Sequence, residues 1–297
     1  MLAASRIVIS LPERRRESLE RAYRDAAAAK RRRTLLIGAG LAAGIVAAGY
    51  AGEVNMAKFV AGLPRFTSYI YDILPTLHWA TLGADLSDWY WGWRKWLGLL
   101  LDTLLMAYLG TLFGALGAFA LNFFASANLV RSRWLRIGVR RYLELCRTVP
   151  EIVYALIFVF AFGLGPLPGV IAIAIHTMGA LGKQFAEVVE NIDMKPVEGA
   201  IACGANWFEA VRYAALPQVL PGFASYTLLR FEINVRGAAV LGFVGAGGIG
   251  KELMSSIRQF YYGDVSAILL IVIATVIIID MLTETLRHRL IGSMERS

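Results

Sequence analysis

Charge is scarce in this sequence. Of 297 residues only 18% are charged, 57% are hydrophobic, and the mean hydropathy is +0.57. An average soluble domain carries about 25% charged and about 45–50% apolar residues. This balance cannot cover a water-facing surface, and the clustering of the apolar residues argues against the two-domain soluble protein that length alone permits. Cysteine is nearly absent: Cys146 and Cys203 have neither metal-like nor redox-like spacing. Both fall in stretches expected on the reducing side of a membrane, so no disulfide is expected. Catalytic signatures are missing too. There is no GxxxxGK[ST] loop, no HExxH and no GxSxG in the chain, so it is not expected to hydrolyse ATP, to act as an enzyme or to bind a metal or cofactor.

The charge that is present is predominantly basic, with a net charge of +8, and is unevenly placed. Residues 1–33 read as a basic N-terminal helix on the cytoplasmic side, with ten Lys or Arg and four acids between Arg6 and Arg33. Because this arm abuts an apolar stretch, it reads as a positive-inside flank and not as a nucleic-acid site. Apolar runs follow at 34–52, 96–124, 150–163, 167–182, 218–243 and 265–286. They predict an all-α integral membrane protein of about six spans with both termini inside, because the basic flanks at 6–33, 131–147 and 287–289 agree with that parity. Residues 53–95 read as a polar, irregular extracytoplasmic segment. Its Trp79, Trp89, Trp91 and Trp93, with Trp96, suggest an interfacial aromatic belt. Gly38, Gly40 and Gly44 in the first run suit close helix contact.

The stretch 184–216 is too polar to span, and it contains most of a cytoplasmic loop at 190–217. Pro196 is placed to start a short helix and Gly204 to close it in a left-handed cap. Asn206 with Glu209 forms a capping-box pattern for a second helix, and Pro217 is expected to limit it. Two short helices between spans make a knob that a partner could grip, or an ordinary connection.

The residues of that loop carry a resemblance. Glu198-Gly199-Ala200, three residues, Gly204, nine residues, Ala214, one residue, Leu216-Pro217 resembles the EAA signature of ABC-importer permeases. Gly199 and Ala214 depart from its usual Ala and Ile, both by small apolar changes. The resemblance covers about residues 95–290. It implies a type I ABC-importer permease fold in the bacterial inner membrane, with cytoplasmic coupling helices. It also implies a second permease copy or homologue, two cytoplasmic ATPase subunits that carry ATP and magnesium, and an extracytoplasmic binding protein. Glu198 would then contact the ATPase and Gly204 would set the angle between the helices.

Three further stretches are similar to the phosphonate branch of the family: Arg147-Thr-Val-Pro-Glu151, His176-Thr-Met-Gly-Ala-Leu-Gly-Lys183, and Asn234-Val-Arg236 running on to Gly250. Methionine permeases are similar near the glycine cluster, so another small solute stays open. Arg230, Glu232 and Arg236 fall inside a span, where charge costs several kcal/mol or more and faces protein or water. Glu232 and Arg236 are four apart and share a helix face. They read as a lock between helices, or Arg236 as a transient attraction for an anion. His176 reads as a helix–helix hydrogen-bond partner or as a translocation-path residue, and Glu151 as a residue suited to the start of a helix. Gly245, Gly247, Gly248 and Gly250 satisfy GxGxxG. No strand precedes them, so they read as a tight re-entrant turn, which the resemblance places near an outer gate. Two readings of another class, an ion-coupled secondary transporter and a membrane anchor, lack paired intramembrane acids and lack any use for the spacing from Glu198 to Pro217.

Overall fold

The computed structural model describes residues 13–292, and every helix and strand assigned in it is a helix. The chain divides into one unit ending at Tyr69 and a second beginning at Ile70. The first holds α1 (Glu13–Ala51) and most of α2 (Met56–Ile73). Polar arm and apolar run are therefore one continuous 39-residue helix from Glu13 onward, without a break at Thr34, because neither Gly nor Pro interrupts the junction at 30–37. Residues 1–12, including the start of the expected basic helix at Ser5, lie outside the described residues. Gly38, Gly40 and Gly44 face open space.

The expectation of an irregular segment over 53–95 needs correction. It contains α2, which carries Pro64 within it, and α3 (Leu82–Trp89). Of its tryptophans, Trp89 donates through Nε1 to Gly263 O at 3.1 Å and Ser266 Oγ at 3.0 Å, and Trp91 to Asp264 Oδ1 at 3.0 Å. Trp96, fully buried, belongs to the core of the second unit and to no interfacial belt.

That unit is built around α4 (Trp93–Ala125) and α7 (Pro166–Glu190). Their approach depends on missing side chains. A Cβ at Gly110 would lie 2.6 Å from Ile173, and one at Gly114 would lie 2.7 Å from Thr177. Small residues let helix backbones approach where no water drives association. α5 (Arg133–Thr148) packs on the other side of α7, where a Cβ at Gly179 would lie 2.6 Å from Leu143 O. α6 (Glu151–Phe162) follows, and Val149-Pro150 bends α5 and α6 by 82°. Gly163, at φ +84°, ends α6, and Pro166 opens α7.

After α8 (Lys195–Ala202) and α9 (Trp207–Ala210) comes a π-helical turn, Val211–Ala215, which runs directly into α10 (Leu216–Leu241). Pro217 therefore does not end the second helix. It occupies the first turn of α10, where its missing N–H is not needed, and the preceding wide turn absorbs the change in hydrogen-bond pattern. A short 3-10 turn and four-residue link lead to α11 (Ile249–Arg258), bent 48° from the preceding helix, and α12 (Tyr262–Gly292) closes the described chain.

Among the described residues, three helices are long and apolar enough to cross a membrane, and the two bent pairs raise the count to five. α7 would be the sixth. Its 25 residues span roughly 37 Å at about 1.5 Å per residue, but Lys183, Gln184, Glu187 and Glu190 make its last half polar. Asn234 ties the middle together: its Nδ2 donates to Thr111 Oγ1 at 2.8 Å and Thr177 Oγ1 at 2.9 Å, joining α10, α4 and α7.

Candidate functional site: a two-helix knob and a cationic cleft

The segment singled out from sequence folds as two short helices. Lys195–Pro196 starts α8, and Gly204 closes it at φ +92° with open space around its α-carbon. The Asn206 side chain accepts from Glu209 N at 3.0 Å, and the Glu209 carboxylate accepts from Asn206 N at 2.7 Å, so the capping box is complete. Val197, Ala210, Ala214 and Ala215 form the small core beneath. Ala214 is buried, so a small residue suits that position, and Gly199 is exposed with nothing within 4 Å of a Cβ built there. Neither departure from the usual signature disturbs packing. Leu216 packs against the aromatic cluster of Phe119, Phe123, Phe185 and Phe223, and Pro217 is exposed.

The outer face of the knob carries Glu198, Ile201, Phe208, Arg212 and Tyr213, all exposed. Phe208 is 71% and Tyr213 70% exposed, an apolar content that fits a surface covered by a partner. The knob is held firmly from behind. Trp207 Nε1 donates to Leu129 O at 2.9 Å, and Asn128 Nδ2 donates to Val189 O at 2.7 Å. Gln218 Nε2 donates to Asp193 O at 3.2 Å, and its Oε1 accepts from Asp193 N at 3.1 Å. Trp207 thus ties the knob to the link between α4 and α5, Asn128 ties that link to the end of α7, and Gln218 ties the start of α10 to the segment before α8.

The three charged residues of α10 separate into two sites. Arg236 donates to Glu232 Oε1 at 2.7 Å and to Asp280 Oδ2 at 2.6 Å on α12, where Thr283 also approaches Glu232. Asp280 was not singled out from sequence. Its place in the apolar run 265–286, four residues before Glu284, was the available signal, since an intramembrane acid needs a partner.

Arg230 faces another way. Its NH2 group lies 2.6 Å from His176 Nδ1 on α7, so that nitrogen accepts. Glu151, in the first turn of α6, points inward to within 3.8 Å of His176. Arg230, His176, Arg147 and Lys183 line a cleft of about 430 Å³. His176 bonds across helices, as its place in a span suggests, and it also lines the cleft. Arg147 and Lys183 were not singled out from sequence, because separate helices assemble the cleft.

The glycine turn stands apart from both. Gly245, Gly247 and Gly248 have φ of +90°, +83° and +72°. A Cβ at Gly250 would fall 1.8 Å from Ala239 O. Ile249 N donates to Thr103 Oγ1 at 2.9 Å. The segment is thus a tight turn against α10 and α4.

Residues 110–295 match the family described as the binding-protein-dependent transport system inner membrane component. A phosphite transport system permease protein of Stutzerimonas stutzeri is 39% identical over 244 residues, which cover 82% of this chain and 84% of that protein. A cryptic phosphonate transport system permease protein of Escherichia coli K12 is 48% identical over 121 residues, 41% of this chain and 99% of that protein. Among solved structures, a bacterial ABC transporter involved in import of the acidic polysaccharide alginate superposes with a TM-score of 0.57 at 15% identity, over 91% of this chain and 99% of that one.

Proposed function

Given that this chain belongs to the binding-protein-dependent transport inner membrane components, the permease subunits of ABC importers, we propose that it carries a small phosphorus oxyanion (phosphonate, phosphite or phosphate) inward through the membrane. The relatives are named for phosphite and phosphonate transport, and the cationic cleft suits the same chemistry. A second copy or homologue completes the path. Two ATPase subunits dock on the knobs at the cytoplasmic face, and an extracytoplasmic binding protein delivers the anion. Both termini lie inside in this arrangement.

The observation that carries the coupling role is the exposed α8–α9 face, apolar around Glu198 and hydrogen-bonded to the link between α4 and α5. Glu198 offers a polar contact to the ATPase groove, while Phe208 and Tyr213 fill it. Gly204, in a left-handed conformation, sets the angle between the helices, and a β-branched residue is a steric outlier there. Glu198→Ala together with Gly204→Val is expected to strip the ATPase subunit from the detergent-purified chain at least tenfold, with the spans still folded. Full retention of the ATPase by the double variant contradicts a docking role for this loop.

Arg236 serves as a lock between α10 and α12, not as a substrate contact, since two carboxylates already occupy its guanidinium. Arg236→Gln is expected to lower stability by about 1 kcal/mol, the scale of a polar contact between membrane helices, and to leave uptake near wild type. Thermal unfolding and radiolabel uptake on the same preparation check both parts; abolished uptake in a folded complex would assign Arg236 to the path.

A further inference from the structure

We infer that Arg230, Arg147 and Lys183 form a transit site for the oxyanion inside the permease, with Glu151 as the counter-charge that holds Arg230 while the site is empty; this rests on the function proposed above. Arg230 is the centre of the site. Its one short side-chain contact is to a neutral imidazole, because Nδ1 of His176 must accept from it. Its Nε is buried and has no hydrogen-bond partner. A buried guanidinium donor left unpaired is costly, and a carboxylate or phosphorus oxyanion in the cleft would satisfy it with the forked geometry that guanidinium prefers. Glu151 reaches this centre from α6, and its carboxylate stops 3.8 Å from His176 Nδ1. It compensates the charge of Arg230 at a distance and leaves the donor free.

The other two cations differ in readiness. Arg147, at the end of α5, has no side-chain partner among the described residues. Lys183 sits about two turns of α7 beyond His176 and is paired only loosely, at 3.5 Å, with Glu187, both of them more than half exposed. Exposed pairs of this kind contribute little, so Lys183 can turn to a ligand at small cost. The cleft also leads somewhere. It shares Gln184, Glu187 and Tyr226 with a neighbouring cleft of about 460 Å³ that runs to Asp193 and Gln218 at the base of α8. The oxyanion would therefore meet three cations and then pass acids and amides toward the coupling end, a sequence that favours release. Arg236, on the same helix, opens to neither cleft.

Because a binding protein sets the half-saturation of import, loss of the transit site should lower turnover and leave half-saturation unchanged. In proteoliposomes holding the complete importer, Arg230→Gln and Arg147→Gln are each expected to reduce turnover of methylphosphonate and phosphite at least tenfold, with half-saturation within twofold of wild type. Arg230→Lys should recover part of the loss, and Arg236→Gln should keep wild-type turnover. Arg147 has no partner to lose, so its variant decides the matter if Arg230→Gln does not assemble. Wild-type turnover in the assembled Arg147 and Arg230 variants overturns the inference and leaves the proposed function standing. A wild-type importer that moves neither anion overturns that function instead. A phospholipid headgroup shares the phosphate chemistry, so methylphosphonate binding to the purified complex is also measured in uncharged detergent. Binding that Arg230→Gln abolishes supports the anion; occupancy by phosphatidylglycerol alone, with no methylphosphonate bound, contradicts it.

Discussion

Gly250→Val should leave little folded protein. A Cβ at this position would sit 1.8 Å from the carbonyl oxygen of Ala239 and 3.1 Å from Gly242 Cα. Both are backbone atoms, so no side chain can swing aside. α11 would have to lift from α10, which withdraws the buried Ile249 and Leu253 from the core around Trp96 and breaks the Ile249 N–H bond to Thr103. Overfilling a packed core commonly costs about 1–3 kcal/mol; the backbone contact here places the expected loss at or above about 3 kcal/mol. The measurement is the unfolding midpoint of detergent-purified protein, with Gly98→Ala as control, since nothing lies within 4 Å of a Cβ there. The control should melt at or above wild type, because alanine is favoured over glycine inside a helix by about 0.5–1 kcal/mol. A Gly250→Val protein that melts with the control contradicts the close approach of α11 to α10.

Glu190→Ala is expected to separate ATP hydrolysis from transport. Glu190, at the end of α7, accepts from Ala127 N at 2.6 Å and pairs with Arg140 of α5, whose Nε donates to Ala125 O at 2.7 Å. One carboxylate thus fixes the α4–α5 connection, the end of α7 and α5 together. The same connection receives the Trp207 bond from the knob. Removing the carboxylate leaves an exposed backbone N–H and a half-exposed guanidinium to water, for an expected loss of about 1 kcal/mol. Uptake should fall several-fold while the complex continues to hydrolyse ATP, since the knob remains intact and its tether does not. Glu190→Gln, which keeps an acceptor for Ala127, should lie between. Unchanged uptake per ATP in Glu190→Ala would show that the tether transmits nothing.

Much of the coupling loop was legible in the sequence because its signals are local. Proline at a helix start, glycine at a left-handed cap and the Asn206–Glu209 box each act within a few residues, and all three are present as read. Pro217 was misread for the same reason: proline limits the helix before it only where no wide turn precedes, and the Val211–Ala215 turn is a response to packing that no local rule announces. The four-residue spacing of Glu232 and Arg236 made their pairing readable, but Asp280 joins them from 44 positions away in the chain. Glycines show the limit most clearly. Gly38, Gly40 and Gly44 had the composition of a contact face and have nothing within 4 Å of a Cβ among the described residues, whereas Gly110, Gly114 and Gly179 make the close approaches. Small residues permit contact without specifying a partner. The cationic cleft was hidden likewise, since Arg147 reads as one of a run of flanking arginines until α5 folds against α7.

The central claim is that this chain uses ATP bound by a partner to import a phosphorus oxyanion. The most direct measurement reconstitutes the chain with its ATPase in proteoliposomes, adds the binding protein on the opposite face, and follows labelled phosphite and methylphosphonate. The account predicts accumulation of at least one of these anions that requires hydrolysable ATP on the ATPase side and continues when ion gradients are collapsed. Accumulation driven by an ion gradient with no ATP present would contradict it.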